Sequence, residues 1–266
     1  MIKLTRGKRP KELTDEILME LTELYRNNNH KDVWNSPKIK KPLKEALLKM
    51  SYGKCVYCEC LLEEESKDAT IDHFLPKTAY ENKVVEWENL FPSCLRCNRQ
   101  KNSYDKKLLN PCKANPQYFL GVCRNNRFRL KGIDRQGFGK DTIREIGLND
   151  IKRVLIPRAR EWEIIRSQLE EICESLQDDG YQPKQQRKFK HLMEDCMAEN
   201  SYAAVKATNM LNDECYQYIK NFLISKNEWT SVLDEIESEL KKIALQLVSF
   251  FEADSDAPSH HREASS

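Results

Sequence analysis

Long apolar runs are missing from this chain of 266 residues, and so is an apolar segment of signal-peptide length near its first residues. A membrane helix needs about 18 consecutive apolar side chains, and the opening Met-Ile-Lys-Leu-Thr-Arg lacks the apolar centre of a secretion signal. No internal repeat is found either. We therefore predict no transmembrane helix and no repeat array. The composition, 39% hydrophobic and 32% charged residues, is that of a globular protein, which we expect to be cytoplasmic.

Histidine is also scarce. The chain has five, and His73 is the only one between Lys31 and Lys190. His260 and His261 lie in a small polar segment, residues 253–266, that we expect to be disordered, so we discount them as ligands. Chemistry that needs an imidazole between Lys31 and Lys190 therefore falls to His73.

Charge is unevenly distributed, although the net charge is only +2. Residues 1–140 carry ten more basic than acidic side chains, whereas residues 141–266 carry eight more acidic than basic ones. The first half is therefore expected to attract polyanions. Two solvated surfaces that differ by accident are the alternative, because charge balance alone is weak evidence.

Hydrophobic periodicity predicts an α+β protein that is mostly α. It divides the chain into an N-terminal helical segment (1–52), a region with short strands (53–140), a helical region (141–252) and the tail. In the second region we predict strands at 70–74 and 89–92, a helix from Cys94 to about Tyr104, and further strands at 118–123 and 127–130. The helices predicted after this point are 140–147, one from 151 that Pro157 kinks or starts, 184–199, 202–224 and 228–251. The apolar stripes of the helical region serve an internal core or dock a partner.

Four of the ten cysteines form two Cys-x-x-Cys pairs, Cys55/Cys58 and Cys94/Cys97. In a reducing compartment such pairs bind metal more often than they form disulfides. Four thiolates saturate a tetrahedral zinc ion, so the predicted zinc site is structural and has no open position for water. The other cysteines are interpreted as buried small hydrophobes, although Cys60 is close enough in sequence to be a spare ligand.

Between the two pairs lie Asp72 and His73, which we predict to be the centre of a hydrolytic site. Neighbouring strand residues point to opposite faces, so one of them can hold a cation while the other faces the nucleophile. A neutral imidazole accepts a proton from water near pH 7. Asn98 directly follows Cys97, and its amide oxygen, with the Asp72 carboxylate, makes a sparse site of the kind that Mg²⁺ or Mn²⁺ completes with water and phosphate oxygens.

Other side chains near this segment have predicted supporting roles. Asn89 either accepts a hydrogen bond from the His73 ring and sets its tautomer, or pins the loop. Four basic residues are candidates for contacts with nucleic-acid phosphates: Lys77, Arg96, Arg99 and Lys101.

From Cys55 to Lys101 these motifs resemble the HNH endonuclease superfamily in its zinc-containing ββα-metal form. The resemblance implies a zinc-stapled ββα core, with His73 as general base, Asp72 and Asn98 as ligands of a catalytic Mg²⁺ or Mn²⁺, and Asn89 orienting the histidine. Many relatives have histidine where this chain has Asn98, and this departure affects metal preference.

The longer strings Cys-Val-Tyr-Cys-Glu, Asp-His-Phe-Leu-Pro-Lys, Trp-Glu-Asn-Leu and Cys-Leu-Arg-Cys-Asn-x-x-Lys are similar to the nuclease subunits of Septu anti-phage systems and Septu-like retrons. That resemblance implies DNA or tRNA as target, an ABC/SMC-like ATPase partner of the PtuA type, and a retron RNA/DNA complex as a further component. A non-catalytic, zinc-organised subunit that binds nucleic acid or protein is the alternative. Asp72 and His73 favour the nuclease, because a binding module needs no base beside a hard ligand.

Overall fold

A two-stranded antiparallel hairpin followed by a short helix lies at the centre of the first half of the chain in the computed structural model. The structure describes residues 1–27, 32–62, 69–178 and 180–249. Strand β1 (Ala69–His73) pairs with β2 (Leu90–Cys94), so that Asp72 lies opposite Phe91 and His73 opposite Leu90. Helix α3 (Leu95–Lys101) starts directly after β2, and the sulfur of Cys94 caps it by accepting from the Cys97 amide. The predicted strands and helix agree with these elements to within three residues.

In the described part of the chain before the hairpin, the α-helices are α1 (Asp15–Asn27) and α2 (Lys40–Met50). The hydroxyl of Thr14 accepts a hydrogen bond from the Ile17 amide, as expected of an N-cap. After α2, Gly53 adopts a positive φ of 68° and turns the chain into the first cysteine pair.

A second, three-stranded sheet follows α3, in the order β4-β3-β5. Strands β3 (Leu120–Cys123) and β4 (Asn126–Gly132) are antiparallel neighbours, as predicted. Strand β5 (Gln246–Val248) comes from the other end of the described chain and pairs with β3 in parallel. The helix predicted for 228–251 is therefore wrong beyond Ile243, because the chain leaves the helix at Ala244 and extends along β3. The end of that predicted helix, residues 250 and 251, and the tail predicted for 253–266 lie outside the described residues.

The remaining helices form most of the second half. Helix α4 (Phe138–Ile146) ends at Gly147, and one π-helical turn, Ile151–Leu155, leads into α5, which begins at Ile156 beside Pro157. The helix predicted for 202–224 is two helices, because Asp213 caps a new one. The helices from α5 onward are α5 (Ile156–Asp178), α6 (Pro183–Glu194), α7 (Ala203–Leu211), α8 (Glu214–Ser225) and α9 (Ser231–Ile243). No helix among the described residues combines the length and apolarity of a membrane span.

Two hydrophobic clusters hold these elements together. One is built by α5–α9 and includes Leu233, Ile236 and Leu240 of α9. The other surrounds the hairpin and the cysteine pairs, and it also contains residues 202–205 and Leu245 of the helical half. At this junction the Tyr202 amide donates to the Glu59 carbonyl at 3.1 Å. The helical half is thus packed against the turn that carries the first cysteine pair.

Candidate functional site

The four paired cysteines are brought together at the base of the hairpin. The sulfur atoms of Cys55, Cys58, Cys94 and Cys97 all lie within 4.8 Å of one another, and the sulfurs of Cys58 and Cys94 are 3.9 Å apart. A tetrahedral zinc–thiolate centre with Zn–S bonds of about 2.3 Å places its sulfurs about 3.8 Å apart. The donor set and its spacing therefore fit a zinc ion.

Backbone hydrogen bonds fix the first pair in the required turn. The Glu59 amide donates to the Cys55 carbonyl at 3.0 Å, and Glu59 takes a positive φ of 65°. The Val56 amide donates to the Pro92 carbonyl at 3.1 Å, which attaches this turn to β2. Because β2 leads directly into the second pair, the hairpin itself sets the distance between the two pairs. Cys60 is buried next to this cluster, outside the four-sulfur set.

A guanidinium from the helical half contacts the cluster. Arg153 donates from Nη1 to the Cys97 sulfur at 3.0 Å, and from Nη2 to the carbonyls of Ile146 and Gly147 at 2.7 and 2.6 Å. Burial lowers the pKa of Arg153, but the Cys97 sulfur outweighs it, and the pKa is raised overall. Sequence analysis missed this residue, since an arginine 56 positions away from its partner leaves no local signal.

His73 lies at the end of β1, where its ring borders a cleft of about 570 Å³. Its Nε2 lies 2.8 Å from the Val84 carbonyl oxygen, and its ring meets that of Trp34 edge-on at 4.6 Å. A carbonyl only accepts, so Nε2 carries the proton and Nδ1 of the neutral ring carries the lone pair. Burial lowers the pKa of His73 to about 4. The imidazole is therefore neutral at pH 7, in the form that a general base requires.

Asp72 points to the opposite face of β1, toward α3, and is 2% exposed. Tyr57 donates its hydroxyl to Oδ2, and Lys101 donates to Oδ1 at 3.2 Å. Lys101 also donates to the His73 carbonyl at 2.6 Å. Burial raises the pKa of Asp72 in spite of the lysine.

Lys101 was expected among the phosphate contacts, but the structure does not place it for that role. The residue is 2% exposed and its ammonium is bound inside the protein. The reason is helical geometry, since the side chain of residue 101 falls on the face of α3 that packs on β1.

Asn98 lies one helical turn before Lys101 and reaches the cleft. Its Nδ2 donates to the Thr70 hydroxyl at 3.1 Å and, more weakly, to the Ile71 carbonyl at 3.4 Å. Among the described residues no hydrogen bond to its Oδ1 is found, which leaves a hard oxygen available to a cation. Amide and carboxylate oxygens such as those of Asn98 and Asp72 are of the donor type that Mg²⁺ and Mn²⁺ prefer. Both oxygens of Asp72 are engaged by Tyr57 and Lys101 in this structure.

Asn89 makes the contacts of a residue that pins the loop. Its Oδ1 accepts from the Leu75 amide at 2.7 Å, and its Nδ2 donates to the carbonyls of Leu75 and Lys83, both at 3.0 Å. The ring of His73 is held instead by Val84, the residue after Lys83. Asn89 therefore contacts the loop that leads to Val84 and not the ring of His73.

The cleft beside His73 carries basic side chains from two directions. Lys77 borders it from the loop and donates to Asp32 at 2.8 Å, with its ammonium 4.0 Å from the centre of the Trp34 ring. Lys40 and Lys44 of α2 border it from the other side. Sequence analysis missed these two lysines, because only the packing of α2 beside the hairpin brings them to the cleft. Arg96 and Arg99 are exposed on α3 and are not among the residues lining the cleft.

Comparison with known proteins agrees with this geometry. A family model described as HNH endonuclease matches residues 55–104. The Septu protein PtuB of Bacillus thuringiensis is 32% identical over 253 residues, covering 91% of this chain and 94% of that protein. The Septu protein PtuB of Bacillus mycoides (strain KBAB4) is 32% identical over 111 residues, covering 29% of this chain and 37% of that protein.

The hairpin, the cysteine cluster and the family match define this chain as an HNH endonuclease. Within that class, its similarity over nearly its whole length shows that it belongs to the PtuB family of Septu proteins. The alternative of a non-catalytic binding subunit is set aside accordingly.

Proposed function

We propose that this endonuclease hydrolyses phosphodiester bonds of nucleic acid with His73 as the general base. The proposal is carried by the state of the His73 ring, which is neutral, tethered through Nε2 to Val84 and exposed to a basic cleft on one side. In this role Nδ1 accepts a proton from the attacking water, and the ring is held in one tautomer by the Val84 carbonyl.

Asp72 and Asn98 are the proposed ligands of a divalent cation, Mg²⁺ or Mn²⁺. When bound, the cation would neutralise the phosphate and stabilise the leaving oxygen. Asn98 Oδ1 and Asp72 Oδ1 supply the hard donors that these ions prefer. The four cysteines are proposed to bind a structural Zn²⁺, which keeps α3 and the hairpin in register and so places both ligands.

Lys40, Lys44 and Lys77 are the proposed contacts for the substrate backbone, together with the exposed Arg96 and Arg99 of α3, which do not line the cleft. The lysines border the cleft that contains His73, so a phosphate held between them lies beside the base. Lys77 must then leave Asp32, which costs little because both side chains are partly solvated.

We further propose that the enzyme is the nuclease subunit of an anti-phage defence complex that contains an ABC/SMC-like ATPase of the PtuA type, and that its target is DNA or tRNA. Membership of the Septu PtuB family supports this assignment. A retron component is implied by the sequence resemblance alone, and we do not include it in the proposed complex.

The test is cleavage of plasmid DNA and of total RNA by the chain copurified with its ATPase partner. Reactions are run with Mg²⁺ or Mn²⁺, with and without ATP. We expect cleavage by the wild type and its loss in His73→Ala. Retained cleavage in that variant would contradict the assignment of the base.

A further inference from the structure

Lys101 connects the two residues proposed for catalysis through one buried ammonium. It lies at the C-terminal end of α3, with Nζ 3.2 Å from Asp72 Oδ1 and 2.6 Å from the His73 carbonyl oxygen. A lysine that is 2% exposed has lost its water, and nearby oxygens must take the place of that water. Asp72 is the only carboxylate that the structure pairs with it in the described part of the chain.

This ion pair occupies the carboxylate that the proposed metal site needs. Tyr57 takes Oδ2 and Lys101 takes Oδ1, so both oxygens of Asp72 are engaged. A cation placed beside Oδ1 would stand within a few ångströms of a fixed positive charge, where low dielectric strengthens repulsion. Asp72 therefore cannot hold a divalent cation and its present lysine contact in the same place.

We propose that Lys101 is an internal competitor for the catalytic metal: it holds Asp72 in the metal-free protein and releases Oδ1 when a divalent cation is taken up. The inference rests on the proposed role of Asp72 as a metal ligand. It makes Lys101 a positioning residue that sets the cation concentration at which the nuclease becomes competent.

Three contacts make the exchange feasible without unfolding the site. Lys101 keeps its hydrogen bond to the His73 carbonyl, so its ammonium still has a hydrogen-bond acceptor. Tyr57 keeps Oδ2 and thus the orientation of the carboxylate. Asn98 lies three residues before Lys101 on α3 and offers Oδ1 to the incoming cation from the same helix face.

The test measures Mn²⁺ binding by the zinc-loaded full chain, from the electron paramagnetic resonance signal of free Mn²⁺. Lys101→Met removes the charge and keeps the length of the side chain. Lys101→Gln keeps a donor for the carbonyl of His73. We expect both variants to bind Mn²⁺ about tenfold more tightly than the wild type, because the competing charge is gone. Lys107→Met, the same change at an exposed lysine, is the matched control and is expected to leave the affinity unchanged.

Affinity that is unchanged or weaker in the Lys101 variants would overturn the inference while leaving the metal site intact, provided that Asp72→Asn abolishes binding. Absence of Mn²⁺ binding in the wild type would overturn the proposed metal site and the inference together. Because Lys101→Met leaves a buried carboxylate without its partner and can fail to fold, a crystal structure of the wild type with Mn²⁺ provides an independent check. The inference requires Nζ of Lys101 to lie beyond hydrogen-bond distance of Asp72 Oδ1 in that structure, and fails if the contact persists with the metal bound.

Discussion

The guanidinium of Arg153 donates a hydrogen bond to the sulfur of Cys97 at 3.0 Å and thereby connects the helical half to the cysteine cluster. Four thiolates around one Zn²⁺ leave a net charge of −2, and a buried centre of that charge is stabilised by a neighbouring cation. The other arm of the guanidinium is fixed by the last carbonyls of α4, where a positive charge is also favoured. Retention of zinc should therefore depend on Arg153, which lies outside residues 55–104, the segment that matches the HNH family model.

We expect Arg153→Leu to release zinc to a chromogenic chelator about tenfold faster than the wild type, since partners of metal ligands typically contribute 10- to 100-fold to affinity. Arg153→Lys should be intermediate, because it keeps the charge and loses the planar fork. Lys152→Leu is the control, because Lys152 is the residue next to Arg153 and its side chain is exposed. Equal release rates for Arg153→Leu and the wild type would exclude this role.

Replacement of His73 tests the proposed base while preserving the fold. His73→Asn should lower kcat by about 10²- to 10⁴-fold, the usual contribution of a general base, and should leave the unfolding temperature within a few degrees. His191→Asn is the matched control on exposed surface of α6. The measurement is steady-state cleavage of a labelled substrate at saturating metal and substrate. A kcat close to that of the wild type would assign the base elsewhere.

Much of this site could be predicted from sequence because its signals are local. Two Cys-x-x-Cys turns, an Asp-His pair on a β-branched strand and an asparagine next to a cysteine each need only a few consecutive residues. Lys101 and Arg153 carry no such signal, since a basic side chain in a sequence of 32% charged residues is usually solvated. Their roles depend on which helix face is packed and on a contact between distant segments.

The end of α9 also depends on a contact between distant segments, which the sequence pattern does not predict. Leu247 continues the helical spacing from Ile243, so the stripe alone favours a longer helix. In the structure the Leu245 amide donates instead to the Thr208 hydroxyl at 2.7 Å, and β5 pairs with β3. A three-residue strand whose partner lies more than 100 residues away cannot be recognised by periodicity.

We expect Asn89 to hold the loop that positions His73, so that its replacement lowers the stability of the protein as well as its cleavage activity. Asn89→Ala removes three hydrogen bonds of a buried amide and leaves the Leu75 amide without its acceptor. The free energy of unfolding in urea should fall by about 1–3 kcal/mol, and cleavage should fall with it because the loop that carries Val84 loosens. Asn115→Ala, which removes an asparagine cap from a distant turn, is the control. Loss of cleavage with unchanged stability would indicate a direct role for Asn89.

The lysines of α2 that border the cleft should contribute to nucleic-acid binding through their charge alone. In the inactive His73→Asn background, Lys40→Gln and Lys44→Gln should each reduce the slope of log affinity against log salt by about one. Fluorescence anisotropy of a labelled oligonucleotide over a KCl series measures this slope. Lys49→Gln, at the end of the same helix and not among the residues lining the cleft, should leave it unchanged. An unchanged slope in the Lys40 and Lys44 variants would place the substrate elsewhere.

Gly121 of β3 lies directly against β5, where it pairs with Gln246. A Cβ atom at this position would lie 2.9 Å from Cγ2 of Val248 and 3.1 Å from the Gln246 carbonyl oxygen. Gly121→Ala should therefore lower the free energy of unfolding by about 1–3 kcal/mol, the usual cost of overpacking, and Val248→Ala should recover part of that loss in the double variant. Gly7→Ala, where a Cβ meets nothing within 4 Å, is the matched control. Urea unfolding of the four proteins gives the comparison, and an unaffected Gly121→Ala would mean that β5 does not pack on β3.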